Sequence, residues 1–294
     1  MNRAPARVFP LIELLRPQQW IKNGFVLVGL IFGHAYRDPA LLLAALMATA
    51  AFCLASGAVY ALNDARDAAQ DREHPDKRDR PVARGAVLPG EALALSAFTA
   101  VAALLLAAWT GWLVAAIVAA YLVLNAAYTL GLKRIAVVDV VVIAAGFMLR
   151  LLAGTLGIGI EPSKWLLACG FLLTLFLSFA KRRAEIVRLD GDAGRHRAVL
   201  EAYSAGFLDK AIMLCAAGMV AAYAWYTMAA ETAQIHGTGN LVLTLPWVLL
   251  GTLRYLYRLR LRGGGGDPTE ELLRDPWLAV AVAGWLATVL WLIG

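Results

Sequence analysis

The chain has 294 residues, of which 61% are hydrophobic and only 16% are charged. A typical soluble domain is about 45–50% apolar, so lipid must be the solvent for most of this chain. That balance excludes a soluble enzyme, a secreted disulfide scaffold and a disordered regulator. The three cysteines are dispersed in apolar runs, which favours small packed side chains over a zinc site. We predict an all-α, polytopic membrane protein with a single domain over residues 1–294.

Nine apolar windows follow one another along the chain. The third and fourth are separated by a short turn at Thr110 and Gly111. As one helix they would reach roughly 58 Å, almost twice the hydrocarbon thickness, so we count two spans. The sequence therefore predicts nine transmembrane helices, in windows near 20–36, 39–62, 92–109, 111–130, 135–157, 163–181, 208–230, 239–259 and 276–293.

The basic residues collect at alternate ends of these windows. Of the 27 Lys and Arg residues, 24 fall in the N-terminal segment or in connections on one side. Because positive charge marks cytoplasmic loops, we expect a cytoplasmic N-terminus and an external C-terminus in a multi-pass protein of the plasma membrane. The connections expected to carry a site on the cytoplasmic side are about 63–91, 131–135, 181–210 and 254–275.

An acidic stripe follows the second window. Asn63, Asp67 and Asp71 are four residues apart, so they share one face if the helix continues, and Asp64 joins that face. Oxygen ligands without Cys or His suit Mg²⁺, which keeps water ligands and bridges substrate phosphates. We predict that these four residues bind the metal, that the three aspartates are catalytic, and that Tyr60, one turn earlier, contacts the diphosphate. The alternative is a solvated acidic helix end, although these acids cluster where an apolar helix meets a basic loop.

Cations come directly after the stripe. Lys77 and Arg80 are predicted to stabilise charge on a leaving diphosphate, and Arg84 is predicted to contact phosphate. The alternative is an ordinary cytoplasmic loop, which is basic in any case, and only the neighbouring aspartates separate the two interpretations. Cations at the ends of other windows on the same side are further candidate phosphate contacts: Lys22, Lys133, Arg134, Lys181, Arg182 and Arg183.

Arg150 lies inside the fifth window, where an unpaired charge costs at least a few kcal/mol. It is predicted to contact a phosphate or Asp139, which lies three helical turns away on nearly the same face. The alternative is that its side chain reaches the membrane boundary. The four histidines form no constellation, so no general base is expected.

Two further segments have distinctive compositions. Residues 189–208 are charged and amphipathic, so we expect a helix that lies on the membrane or caps the site. Gly263–Gly266 lacks the Lys-Ser/Thr of a phosphate-binding loop and is predicted to be a flexible turn. The apolar stripe of the amphipathic segment consists of Val199, Leu200, Tyr203 and Phe207.

The Asn63-xxx-Asp67-xxx-Asp71 pattern after a second span resembles the UbiA superfamily of intramembrane prenyltransferases. Further segments resemble the decaprenyl-phosphate phosphoribosyltransferase branch of that superfamily, and together they extend over residues 16 to 275. They are the run from Arg16 to Asn23, the continuation His74-Pro75-x-Lys77-xx-Arg80-Pro81, Tyr128-xxxx-Lys133-xxxxx-Asp139, the run from Ala180 to Glu185, and Gly266-Asp267-Pro268.

The resemblance implies a UbiA-like helical bundle and a Mg²⁺-dependent reaction. Phosphoribosyl pyrophosphate would donate its 5-phosphoribosyl group to a polyprenyl phosphate in the membrane, with release of diphosphate, to make a lipid-linked precursor of cell-envelope arabinose. It also implies that Tyr128, Asp139 and Glu185 belong to the site. No nucleic-acid partner is expected, and the sequence leaves the oligomeric state open.

Two other functions stay open. One is a prenyltransferase that moves a prenyl group from a prenyl diphosphate to an aromatic acceptor. Those enzymes resemble one another in a second aspartate-rich motif after the sixth span, where this chain has Lys181 to Arg183. Cations bind bare phosphate directly, which favours a phosphate-bearing acceptor. The other is a transporter, which should carry polar residues through the middle of the membrane, whereas polarity here collects on one side.

Overall fold

The structure is a computed structural model that describes residues 8–75, 77–188, 198–261 and 268–294. Within these ranges every regular element is a helix and no strand occurs, which confirms the all-α prediction. Three predicted features lie outside the described residues: the Gly263–Gly266 turn, the Gly266-Asp267 part of the Gly266-Asp267-Pro268 motif, and residues 189–197 of the amphipathic segment.

Twelve α-helices are described. In chain order they are α1 Val8–Leu14, α2 Val28–Phe32, α3 Pro39–Glu73, α4 Pro89–Thr110, α5 Trp112–Leu130, α6 Val138–Ala153, α7 Lys164–Arg188, α8 Ala205–Met228, α9 Ala230–His236, α10 Leu245–Leu261, α11 Pro268–Arg274 and α12 Pro276–Ile293. Short 3-10 helices occupy Pro17–Leu27, Ala35–Arg37, Leu132–Arg134, Leu156–Ile158, Ala198–Ala202 and Asn240–Thr244.

Seven of the nine predicted spans appear, in the described residues, as helices long and apolar enough to cross a membrane. The count of nine is not confirmed. The first window is a 3-10 helix followed by the short α2, because Pro17 opens it and Gly24 and Gly29 weaken helix propensity within it. The eighth window is divided between the 3-10 helix Asn240–Thr244 and α10. Membrane orientation stays a prediction.

Helix α3 has clear start and stop signals. The Asp38 side chain accepts hydrogen bonds from the backbone amides of Ala40 and Leu41, and Pro39 occupies the first helical position. The helix ends at Glu73, and its capping residue His74 is followed by Pro75, which cannot continue the helix. Its 35 residues span roughly 52 Å, well beyond the hydrocarbon thickness of about 30 Å. The predicted helical continuation through Asp71 is therefore confirmed, and it carries the acidic stripe past the apolar part of α3.

The described chain divides into two compact units, and whether they act as one domain stays a prediction. The first unit contains residues 8–30, Asp38–Gly131 and Leu149–Ile160. Its main core joins α3, α4 and α5 around Phe52, Val118 and Tyr121. A smaller core, which includes Leu14, Val82 and Val87, packs the N-terminal helix and the loop after α3 together.

Two glycines allow a close backbone contact within the first unit. Gly29 of α2 and Gly154, just after α6, lie so near one another that a Cβ at Gly29 would overlap the Gly154 carbonyl. A Cβ at Gly154 would likewise overlap the Val26 carbonyl. Any side chain at either position would therefore force the two segments apart.

The second unit contains Ile31–Arg37, Leu132–Met148 and the described residues of Glu161–Gly294. Its main core gathers Phe176, Phe179, Tyr203, Ile212 and Tyr255. The described end of the amphipathic segment belongs to this core, because Val199, Leu200 and Tyr203 are buried. That stripe therefore packs on protein at these positions and not on the membrane.

Candidate active site

The last turns of α3 carry two buried carboxylates. Asp64 is 1% exposed and Asp71 is 3% exposed, whereas Asp67 is half-buried. Two guanidinium groups meet these acids. Arg16 lies 2.5 Å from Asp64 Oδ1, and Arg80 lies 3.2 Å from the same oxygen and 2.7 Å from Asp71 Oδ2. Arg80 thus lies beside the stripe, while its predicted role toward the diphosphate stays a prediction, and Arg16 is an addition to the predicted set.

Arg16 is held in an unusual backbone conformation. It has φ 49° and ψ 63°, in the left-handed region that a residue with a side chain rarely adopts. This conformation joins α1 to the 3-10 helix Pro17–Leu27 and aims the guanidinium at Asp64, over the Tyr60 ring at 4.9 Å. Burial lowers the pKa of Arg16, and the Asp64 carboxylate opposes that effect. Strained residues of this kind concentrate at functional sites.

The loop after α3 positions Arg80 through a series of tight turns. The Lys77 and Arg80 amides donate to the carbonyls of His74 and Lys77, respectively. Arg84 donates two hydrogen bonds, at 3.0 and 2.7 Å, to the carboxylate of Glu13 on α1, and these bonds raise the pKa of Arg84. This ion pair links α1 to the loop, and the predicted phosphate contact of Arg84 stays a prediction.

Asn63 is anchored from a neighbouring helix. The Thr129 hydroxyl on α5 donates to the Asn63 side-chain oxygen. Tyr128, the preceding residue, is half-buried on the same helix. Lys22 is half-buried in the 3-10 helix Pro17–Leu27 of the same unit.

The acidic stripe is the predicted metal site. Among the described residues, no group of three or more His, Cys, Asp or Glu side chains converges tightly enough to hold a metal by itself. Asp64 Oδ2 is buried, and within the described chain it has no hydrogen-bond partner. One open carboxylate oxygen suits an ion such as Mg²⁺, which takes one or two protein carboxylates and completes its shell with water and substrate phosphates.

Arg150 is buried inside the first unit, at 5% exposure. Its Nε donates to Asn23 Oδ1 at 2.8 Å, its Nη2 donates to the Tyr121 hydroxyl at 2.8 Å, and the guanidinium lies 4.7 Å from the Tyr121 ring centre. Asn23 also donates to Ser56 at 3.4 Å. Arg150 therefore stabilises the position of the 3-10 helix that carries Lys22. The alternative in which the Arg150 side chain reaches the membrane boundary does not fit this burial.

Asp139 has partners in the second unit. It is 0% exposed and accepts from Arg182 Nε at 2.7 Å and from the Tyr203 hydroxyl at 2.6 Å. Arg182, itself 1% exposed, also donates to Glu185 at 2.6 Å. Burial raises the pKa of Tyr203, and the bond to Asp139 adds to that shift. The structure thus brings together three predicted site residues, Asp139, Arg182 and Glu185, in one buried ion cluster.

The cluster includes a strained backbone position. Val137 has φ 70°, a rare value for a β-branched residue, and its amide donates to the Tyr203 oxygen at 2.6 Å. Tyr203 therefore joins Asp139 to the turn that precedes α6. Lys133 is half-buried in the short helix Leu132–Arg134, and Arg134 is exposed there.

The other cations after α7 differ from Arg182. Lys181 and Arg183 are half-buried, and Arg183 pairs with Asp209 of α8 at 3.0 Å. Since Arg182 is enclosed by two carboxylates, its predicted phosphate contact is not supported by this geometry. The roles predicted for Lys181 and Arg183 stay predictions.

Sequence reasoning did not assign roles to several residues of these clusters. Arg16, Glu13, Thr129 and Tyr203 all act across long separations in sequence, from 48 to 71 residues. Arg16 had one available signal, because it opens the Arg16-Pro17-Gln18-Gln19-Trp20 run that carries part of the family resemblance. Tyr203 had no such signal in the sequence, since the apolar stripe to which it belongs is equally typical of a helix on the membrane surface.

Comparison with known proteins identifies the family. The model of the UbiA prenyltransferase family matches residues 24–270. This chain belongs to that family. It is also 33% identical over 292 residues to a decaprenyl-phosphate phosphoribosyltransferase from Mycolicibacterium smegmatis, covering 95% of this chain and 91% of the relative. A protein of the same name from Corynebacterium glutamicum is 34% identical over 284 residues, covering 94% and 84%.

The fold also matches solved UbiA proteins. A UbiA homolog from Archaeoglobus fulgidus, solved with DMAPP and Mg²⁺, superimposes with a TM-score of 0.72 over 95% of this chain and 98% of that chain. At 20% identity this likeness establishes the fold. The predicted UbiA resemblance is therefore confirmed, and the chain is a multi-pass membrane member of the family.

Proposed function

We propose that this UbiA protein transfers the 5-phosphoribosyl group of phosphoribosyl pyrophosphate to a polyprenyl phosphate. The observation that carries the proposal is the identity of about one third, over nearly the full length of both chains, to relatives named decaprenyl-phosphate phosphoribosyltransferase. In the reaction, the bond between ribose C1 and the diphosphate breaks and the electron pair leaves with diphosphate. An oxygen of the lipid phosphate forms the new bond to C1.

The first unit supplies groups suited to the leaving diphosphate. Arg16 and Arg80 are held beside two buried carboxylates, so both guanidinium groups are already oriented without substrate. As the ribose C1–oxygen bond breaks, negative charge grows on the diphosphate, and preorganised cations stabilise that charge. Because the acceptor phosphate is already an anion, the reaction needs no general base.

The acidic stripe is suited to a divalent ion. We assign Asn63, Asp64, Asp67 and Asp71 as the residues that would hold Mg²⁺, supported by the orphan Asp64 oxygen. When bound, Mg²⁺ would supply positive charge to the diphosphate oxygens. The pairing of Asp64 with two arginines orients this carboxylate before the ion arrives.

We further propose that the enzyme acts in the plasma membrane with the acidic stripe facing the cytoplasm. The concentration of basic residues in the loops around the stripe supports this orientation. Phosphoribosyl pyrophosphate is a soluble anion, so a cytoplasmic opening would let it reach the site without crossing lipid.

A direct substrate comparison tests the proposed function. Purified protein in lipid nanodiscs is given Mg²⁺ with either phosphoribosyl pyrophosphate plus decaprenyl phosphate, or geranylgeranyl diphosphate plus an aromatic acid. We expect turnover with the first pair and none with the second. Turnover with the second pair alone would replace the proposal with aromatic prenyl transfer. Omission of Mg²⁺ and its replacement by other divalent ions would show which metal the reaction uses.

A further inference from the structure

The second unit has an apolar groove between α7 and α8, with a cavity volume of 330 Å³. Its walls are Phe179, Phe207, Ala211, Leu214 and Cys215, and Lys210 stands at its rim. The two rings pack edge to face, with centres 6.1 Å apart. Leu214 is 75% exposed, so the groove opens to the surroundings of the protein.

Polarity changes along the groove. Lys210 lies in the second turn of α8, and Leu214 lies one turn further along that helix. On α7, Phe179 comes one turn before Arg183, near the charged end of the helix. The cations therefore mark one end of the groove and the apolar side chains continue from there along both membrane-spanning helices.

Lys210 is the cation available at the rim. The neighbouring Asp209 is paired with Arg183 at 3.0 Å. Lys210 is exposed, and the residues that the structure describes offer it no carboxylate partner. Its ammonium adds to the positive end of the α8 dipole, because both lie within the first turns of that helix. A phosphate at this point would meet the Lys210 ammonium and the positive end of the α8 dipole.

We propose that this groove binds the acceptor lipid, with the phosphate at Lys210 and the first isoprene units along Phe179, Phe207 and Leu214. The inference rests on the proposed function, since it places that reaction's acceptor. A dry cavity of about 150 Å³ holds a benzene molecule, so the groove has room for roughly two five-carbon units. An apolar groove of this volume with one cation at its rim suits a single branched chain that ends in a phosphate.

The groove is also continuous with the buried ion cluster. Tyr203 and Phe207 stack with ring centres 6.2 Å apart, and the Tyr203 hydroxyl donates to Asp139. One aromatic wall therefore leads from the proposed lipid channel to residues that the family resemblance assigns to the site. A phospholipid bound nonspecifically would have no need of this connection.

Two variants test the groove. Leu214→Trp should fill the channel, and Lys210→Gln should remove the phosphate partner. We expect each variant to raise the KM for decaprenyl phosphate about tenfold or more, while the KM for phosphoribosyl pyrophosphate stays unchanged. For Lys210→Gln the reason is that a charge-assisted hydrogen bond typically accounts for at least a tenfold change. Met213→Trp is the matched control, since Met213 is exposed on the same helix but does not line the groove.

A photoreactive polyprenyl phosphate gives a readout that does not depend on turnover. Irradiated without donor, it should label peptides of α7 and α8, and labelling should fall in Leu214→Trp and on competition by decaprenyl phosphate. Wild-type acceptor KM in both variants, or equal competition by phosphatidylglycerol, would overturn the groove proposal. Groove labelling in a protein that shows no phosphoribosyl transfer would uphold the groove while refuting the proposed function.

Discussion

Removal of the Arg182 side chain should destabilise the protein strongly. Its guanidinium is 1% exposed and donates to Asp139, which is 0% exposed. In Arg182→Ala the Asp139 carboxylate would stay buried with the Tyr203 hydroxyl as a remaining donor. Loss of one partner of a buried ion pair typically costs about 3–5 kcal/mol. At roughly 2–4 °C per kcal/mol for a chain of this size class, the apparent Tm should fall by roughly 6–20 °C.

The neighbouring residue provides the control. Arg183 pairs with Asp209 at a similar distance, but those side chains are 25% and 39% exposed. An exposed pair contributes about 0–1 kcal/mol, so Arg183→Ala should shift the apparent Tm by a few degrees at most. Both variants are compared in the same detergent and at one scan rate by tryptophan fluorescence, since unfolding of a membrane protein is commonly irreversible.

A rescue variant separates charge from packing. In Arg182→Met with Asp139→Asn both members of the fully buried pair are neutral. The Glu185 side chain, the other carboxylate partner of Arg182, is 24% exposed, so most of the lost Tm should return. Equal Tm values for Arg182→Ala and Arg183→Ala would refute the reasoning. If Arg182→Ala instead kept the wild-type Tm and raised a substrate KM tenfold, the originally predicted phosphate contact would be correct.

Four further outcomes are expected. Asp67→Ala should fold normally and lose turnover by orders of magnitude; near-normal activity would remove Asp67 from the metal site. Arg16→Ala should lower kcat/KM for phosphoribosyl pyrophosphate by roughly tenfold to a hundredfold, with partial recovery in Arg16→Lys, and an unchanged value would limit Arg16 to a structural role. A cysteine at Gln70, which is exposed, should react with an impermeant thiol reagent only in opened cells, and labelling of intact cells would reverse the topology. Burial, with help from His34, lowers the pKa of His236 to about 4. The folded state therefore favours the neutral ring, so stability should fall as pH drops below about 6.5; a Tm slope between pH 7 and 5 that is unchanged in His236→Gln would contradict this.

Periodic features of the sequence predicted the structure well. The apolar windows found seven of the membrane-length helices because length and composition alone determine them. The acidic stripe on α3 followed from a four-residue spacing on a regular helix, and its association with Arg80 needed only a short loop. These inferences depend on residues that are close in sequence, where helix geometry fixes which side chains are neighbours.

Contacts between distant segments were harder to predict. Arg84 and Arg182 looked like phosphate contacts, but each meets a carboxylate from another element. The positive charge of a residue in the sequence cannot show whether its side chain binds a substrate or pairs with a carboxylate within the folded protein. Likewise, the left-handed conformation that aims Arg16 at Asp64 has no marker in residue type, since arginine carries no preference for it. The first window failed as a continuous helix because Pro17 at its start and the glycines within it outweigh its apolar character.

The hydrogen bond from Arg150 to Asn23 in the 3-10 helix Pro17–Leu27 has a consequence for biosynthesis. Asn23 and its partner Arg150 are 127 residues apart, which a ribosome working at about 5–20 residues per second needs roughly 6–25 s to translate. During that interval the nascent segment has neither the guanidinium nor the Gly154 backbone against which it finally packs. The amino-terminal segment can therefore acquire these native contacts only after α6, the fourth of the described membrane-length helices, has been made.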